Sequence, residues 1–202
     1  QQTSSLRPWI LKTPQHMLDL PALLNVFPDA RIIFTHRDPQ KIVGSAASLA
    51  WNQTSIYSDE ITPHEVGKEW MRKSMLQVDR MLAARSLVPA DRRIDVRYDA
   101  MDDDWRGTME RIYAFLDLDI APALPAMENY LERACRLKRR PHTYSLDQFG
   151  LAEGEVREKF DRYVERFAIP TEGEPGSQIA VMRARGRFHD ASRAPAIGGE
   201  SH

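Results

Sequence analysis

Along residues 9–61 the apolar positions change period several times, and each change marks an element. Trp9-Ile10-Leu11 is a short apolar run that reads as a strand. Lys12-Thr13-Pro14 then leads into a stretch where Met17, Leu18, Leu20, Leu23, Leu24 and Val26 recur at helical spacing, ended by Pro28. Residues Arg31 to His36 (RIIFTH) are β-branched and aromatic, the composition of a short buried strand. The order strand, helix, strand predicts a βαβ unit and therefore a parallel sheet. Asp38-Pro39 supplies an N-cap residue followed by proline at the first helical position, so a helix is expected from Pro39 to about Ala50. A polar loop, Trp51 to Ile61, should follow.

Thr62-Pro63-His64-Glu65 carries threonine with glutamate three residues later, a capping-box signature, and opens a long helix to about Arg85. Ile94 to Tyr98 alternates as a strand does. Helices are expected near Trp105 to Phe115, Ala121 to Leu137 and Glu153 to Phe167, which makes the C-terminal half mostly helical. Beyond Pro170 the chain is rich in Gly, Pro, Ser, Ala and Arg without periodicity and reads as a poorly ordered tail, so the expected organisation is one domain over 1–169 and a tail over 170–202.

Composition narrows the chemistry. The 28 basic and 29 acidic residues of this 202-residue chain nearly cancel, so no global charge argues for nucleic acid or a membrane surface, and any anion site must be local. Cys135 is the one cysteine, which excludes an internal disulfide and a cysteine-based zinc site and fits a reducing, cytoplasmic setting. No metal site is expected. No apolar run has the length of a membrane span, and the polar start QQTSSLR does not read as a signal peptide.

A local anion site is what the junction after His36 suggests. Arg37 falls between a strand end and a helix start, where open α/β sheets bind anions and where helix N–H groups and the helix dipole favour negative charge. Ser45 lies two turns along the same helix. An arginine so placed has two readings: a salt bridge to a neighbouring carboxylate, or a bidentate grip on a phosphate.

The ordered set Leu11-Lys12, His16, Phe27-Pro28-Asp29-Ala30, His36-Arg37-Asp38-Pro39 and Ser45 resembles the sulfotransferases, in particular the bacterial-type branch that uses 3′-phosphoadenosine 5′-phosphosulfate (PAPS). The resemblance continues through Asp95-Val96-Arg97-Tyr98-Asp99, Arg140-Pro141-His142-Thr143-Tyr144-Ser145 and Phe160 to Ile169. It implies an α/β fold with a P-loop-NTPase-like parallel sheet flanked by helices, and PAPS as sulfuryl donor without a metal. It also implies that Arg37 and Ser45 contact the donor's 3′-phosphate, that Tyr98 meets the adenine, and that Arg140 adds a late nucleotide contact. Lys12 would steady charge on the departing phosphate, and His16 is a candidate general base, since imidazoles ordinarily titrate near neutrality. The family's best-known members place that histidine two residues after the lysine, where this chain has Pro14. His36 reads as structural, orienting the Arg37 turn.

One family feature is not found. The glycine-bearing loop that cradles the 5′-phosphosulfate should precede Lys12, yet the first of the ten glycines is Gly44. The expectation is a fold lacking its N-terminal strand and loop, inactive alone, with a small-molecule or carbohydrate acceptor whose identity the sequence does not give. Two other classes stay open: a non-catalytic nucleotide-binding or interaction protein derived from the fold, and a nucleotide or small-molecule kinase. The kinase would need a Gly-Lys-Ser/Thr loop and acidic magnesium ligands, which are not at the expected places.

Overall fold

The computed structural model describes residues 9–136 and 143–172. They fall into two compact units, one of residues 9–95 with 145–169, the other of 96–136 with the described residues on either side of the first unit's return.

The first unit is organised around a short strand, β1 (Ile32–His36), and the helix α2 (Pro39–Thr54) that follows it. The Asp38-Pro39 start forms as its chemistry dictates, with the Asp38 carboxylate accepting from the Gln40 N–H at 2.9 Å and proline at the first helical position. With no glycine or proline between Gly44 and Pro63 to stop it, α2 runs four residues past the expected end and takes in the first part of the predicted polar loop. Its inner face is Pro39, Val43, Gly44, Ala47 and Ser48; Ile42, Ser45 and Leu49 face outward.

The capping box also forms. The Thr62 hydroxyl accepts from the Glu65 N–H at 3.3 Å while the Glu65 carboxylate accepts from the Thr62 N–H at 2.8 Å, and α3 (Pro63–Ala84) begins there. The backbone and side-chain hydrogen bonds from Thr62 hold the Glu65 carboxyl below the usual carboxylate range.

Two expectations before β1 need correction. Trp9 to Leu11 is not a strand: Trp9 and Ile10 are 81% and 88% exposed, and the sheet pairs only β1 with β2 (Arg93–Arg97) among the described residues. The parallel pairing therefore comes from β1 and β2, and among the described residues no strand precedes α1. The single helix expected after Pro14 is two pieces, a 3-10 turn over Pro14–Met17 and α1 (Leu20–Val26). Pro21 is the cause, because it lacks an N–H and disfavours helical backbone in the residue before it, so the chain must restart with proline in the first turn.

Three later segments close the unit's core: the 3-10 turn Asp147–Phe149, α7 (Glu153–Lys159) and α8 (Asp161–Phe167). The single C-terminal helix that the sequence predicts is broken at Phe160, which has φ −107° and ψ 10° and buries its ring. Val43, Ala47, Val88, Phe149 and Val156 have no exposed surface at all. Gly150 ends the 3-10 turn at φ +64°, a conformation that glycine adopts without Cβ strain.

The second unit starts with Val96 and Arg97, the last two residues of β2, and continues into α4 (Tyr98–Asp103), then α5 (Trp105–Phe115) and α6 (Leu124–Arg136). The predicted strand end at Tyr98 is thus a helix start, favoured by the Asp99 carboxylate in the first turn, 3.0 Å from the Arg97 guanidinium. Asp104 caps α5 by accepting from the Gly107 N–H at 3.0 Å, and Arg106 of α5 pairs with Glu128 of α6. The basic segment holding Arg139, Arg140 and His142, and most of the expected tail, lie outside the described residues.

At Gly67, α3 lies tight against the Asp147–Phe149 turn. A Cβ there would overlap the Phe149 carbonyl oxygen and sit 2.8 Å from the Phe149 Cβ, and because the first obstacle is backbone it has no easy retreat. Gly67→Ala is expected to destabilise the protein by about 1 to 3 kcal/mol despite alanine's better helix propensity. Thermal or urea unfolding checks this; a variant as stable as the parent would mean that α3 and the turn are farther apart.

Candidate functional site: the Arg37 turn and its buried support

The strand end is held by a chain of polar groups inside the first unit. His36 is the last residue of β1 and is 2% exposed, so both ring nitrogens need partners. Its Nε2 lies 2.9 Å from Asp95 Oδ1 on β2, and its Nδ1 lies 3.3 Å from the Tyr163 hydroxyl on α8. Burial, opposed by the hydrogen bond and charge of Asp95, lowers the His36 pKa from its ordinary value, so the ring is neutral at physiological pH.

Neutrality fixes the directions of these bonds. A carboxylate only accepts, so the proton sits on Nε2 and is donated to Asp95, leaving Nδ1 to accept from the Tyr163 O–H. Burial pushes the Tyr163 hydroxyl up to about 12, and the Arg37 N–H that it accepts only partly offsets this. It therefore stays protonated and able to donate. The Tyr163 oxygen accepts the Arg37 backbone N–H at 3.4 Å, which completes the chain from Arg37 through Tyr163 and His36 to Asp95.

Arg85 closes the far end. Its guanidinium pairs with the second Asp95 oxygen and stacks 4.9 Å from the Phe34 ring centre and 5.7 Å from that of Phe167. Its Nε is buried without a hydrogen-bond partner among the described residues, and the aromatic faces take the place of a second acceptor. Phe167 also stacks on the His36 ring at 3.8 Å with a 20° interplanar angle, and meets Tyr163 edge-on at 5.4 Å.

This places the predicted residues unevenly. Arg37 is half-buried, at the carboxyl end of β1 and just before α2, as expected. The expected free helix amides are not there. Proline has no N–H, the Gln40 N–H goes to the Asp38 carboxylate, and the Lys41 and Ile42 N–H groups go to the Asp38 carbonyl at 3.1 Å each. The Arg37 N–H is taken by Tyr163. An anion at this turn therefore meets side chains and the helix dipole, with these amides already engaged.

Ser45 is exposed on the outward face of α2 with Ile42 and Leu49, and Ser48 is the serine that faces inward. Lys12 is exposed, outside any regular element, and follows no strand among the described residues. His16 is half-buried in the Pro14–Met17 turn, which Thr13 caps through the Gln15 N–H at 3.4 Å. Tyr98 opens α4 in the second unit and is 37% exposed. Arg140 lies outside the described residues. Sequence reasoning missed Asp95, Arg85 and Tyr163 as supports of the turn; Tyr163 lies 127 residues from His36, and nothing local to it announces the contact.

The family model described as the sulfotransferase family matches residues 1–122, more than half of the chain, and the chain belongs to that family. Among solved structures, the sulfotransferase STF9 from Mycobacterium avium is similar with a TM-score of 0.74 and 34% identity, over 86% of this chain and 45% of that one. The sulfotransferase STF1 from Mycobacterium tuberculosis is similar with a TM-score of 0.64 and 31% identity, over 76% of this chain and 39% of that one. A curated relative, the omega-hydroxy-beta-dihydromenaquinone-9 sulfotransferase Stf3 of Mycobacterium bovis, is 28% identical over 156 residues, 76% of this chain and 40% of the relative. The chain thus spans less than half the length of these relatives. Among the described residues no helix is long and apolar enough to cross a membrane.

The neutral, buried His36 makes stability depend on pH in a defined direction. Its folded pKa lies below the unfolded value of about 6.5, so the unfolded chain binds a proton first as pH falls. The contribution is complete above about pH 6.5 and is lost as pH falls from there through the folded pKa. Unfolding free energies measured between pH 7 and 5 should decline in the parent, and His36→Gln should flatten the slope by up to about 1.4 kcal/mol per pH unit. Identical slopes would mean that His36 takes up its proton over the same pH range in the folded and unfolded chains.

Proposed function

We propose that this chain carries the donor-phosphate and leaving-group side of a sulfotransferase site, for transfer of a sulfuryl group from PAPS to a hydroxyl or amine of a small molecule or carbohydrate. The supporting observation is the Arg37 turn, a half-buried arginine on backbone fixed by β1 on one side and by Tyr163 and the Asp38 cap on the other. Such a fork suits a phosphate dianion, and Ser45 offers an exposed hydroxyl farther along α2.

The donor supplies an activated sulfuryl group on a bridging oxygen. In the proposed reaction the acceptor oxygen bonds to sulfur as the bond from sulfur to the bridging oxygen breaks, and the electron pair leaves with adenosine 3′,5′-bisphosphate. Lys12 neutralises charge on the leaving oxygen, and His16 takes the acceptor's proton. Arg37 anchors the 3′-phosphate, so that binding energy remote from sulfur positions the reacting atoms. Tyr98 and Arg140 enter the proposal from the family resemblance alone. Among acceptors a hydroxyl is favoured, because the relative Stf3 is named for an omega-hydroxylated dihydromenaquinone. A reducing, cytoplasmic setting belongs to the same reading and is supported by the lone Cys135.

Titration calorimetry of the full chain with adenosine 3′,5′-bisphosphate tests the anchor. Arg37→Ala should weaken binding by about 2 to 3 kcal/mol, the scale of a lost charge-assisted contact, and adenosine 5′-phosphate should bind both proteins alike. Equal losses for the two nucleotides would assign Arg37 to the fold and not to the 3′-phosphate. Release of the bisphosphate from PAPS in the presence of a hydroxylated isoprenoid quinone then tests the expected inactivity of the chain alone: binding without release is the expected result, and acceptor-dependent release would mean that the chain holds a phosphosulfate site of its own.

A further inference from the structure

The buried chain that ends on Arg37 does more than fill a core. An apolar residue at position 163 could pack on Phe167 and His36 as well as tyrosine does, yet the position carries a hydroxyl with two polar partners, His36 Nδ1 and the Arg37 N–H. That N–H belongs to the residue whose guanidinium is the candidate phosphate contact. A side chain from a distant segment holds this donor, whereas the Gln40, Lys41 and Ile42 N–H groups are satisfied within the Asp38 cap.

We infer that Tyr163 is a positioning residue for the Arg37 anion contact: its hydroxyl, oriented by His36 and Asp95, fixes the Arg37 peptide and so the origin of the arginine side chain. The inference rests on the donor-site reading above and adds to it a residue that touches no ligand. Each group in the chain has one role. Asp95 selects the Nε2–H tautomer of His36, the bare Nδ1 receives the Tyr163 proton, and this leaves a lone pair of the hydroxyl directed at the Arg37 N–H. Arg85 keeps Asp95 in place through the second carboxylate oxygen. Loss of the hydroxyl alone frees the Arg37 peptide and leaves the ring contacts with Phe167 standing.

The test is Tyr163→Phe in the full chain. Amide hydrogen exchange by NMR should show the Arg37 N–H exchanging about 10-fold faster, with Val43 and Ala47 in the interior of α2 unchanged. Adenosine 3′,5′-bisphosphate should bind about 3- to 10-fold more weakly, and the substitution should cost nothing further in an Arg37→Ala background, since a residue acting through Arg37 cannot act without it. Unchanged exchange at Arg37, or an affinity loss that adds in full to that of Arg37→Ala, overturns the inference. If the parent binds no bisphosphate, the donor-site reading fails and the positioning role fails with it; the Arg37 exchange contrast then shows separately whether the hydrogen bond exists. Should Tyr163→Phe not fold, imidazole nitrogen shifts of the parent decide. A proton on His36 Nε2 with a bare Nδ1 supports the chain, and the opposite tautomer overturns it.

Discussion

A neutral imidazole has one donor and one acceptor, and burying His36 at the end of β1 obliges the fold to satisfy both. Asp95 meets the donor from β2 and Tyr163 meets the acceptor from α8, so one side chain commits three separate parts of the sequence to a common position. The remaining features of the first unit follow from that commitment. Arg85 is drawn in to balance Asp95, Phe34 and Phe167 cover the guanidinium, and Phe167 stacks on the imidazole. Removing one member of such a network leaves the others buried and unpaired, which costs more than any single bond in it is worth. Asp95 is the member nearest to water, so the network is anchored in the core and hydrated at one corner.

The packing around this network is close enough to restrict the backbone. Gly67 lets α3 lie against the Phe149 carbonyl, and Gly150 turns the chain at positive φ into α7. The Gln40 side chain reaches from α2 to the Glu153 carbonyl at 3.1 Å, tying the helix that starts at the Arg37 turn to the segment that delivers Tyr163. The hydroxyl and the peptide that it holds are therefore parts of one packed body, and the hydrogen bond between them need not be strong to be geometrically exact in effect. Its 3.4 Å length is at the long end of the range, and its importance is directional.

What could be read from residue order was local. Asp38-Pro39 and Thr62 with Glu65 announce their helices because cap chemistry is completed within four residues. The β1 strand was legible from RIIFTH, and the placing of Arg37 followed from it. Failures came where a neighbour decides the outcome. Trp9 to Leu11 has strand composition but no ladder partner among the described residues, and Pro21 splits a helix whose apolar spacing looks continuous. Ser45, which the resemblance pairs with Arg37, lies on the outward face of α2, a phase that only the helix itself fixes. His36 was recognisable as an orienting residue, but its partners come from positions 95 and 163 and only the fold brings them together.

The satisfied helix start sharpens what the turn can do. A helix N-terminus that keeps its amides free binds anions through fixed backbone donors and discriminates little between phosphate, sulfate and carboxylate. Here Pro39 removes one donor and Asp38 engages the next three, so recognition passes to the Arg37 side chain. An arginine gains selectivity from the planar geometry of its fork but spends rotamer entropy to use it. Fixing the Arg37 peptide on both sides reduces the freedom at the root of that side chain before any ligand arrives. The buried histidine network and the capped helix are thus complementary: one removes the generic anion site of the backbone, and the other steadies the residue that replaces it.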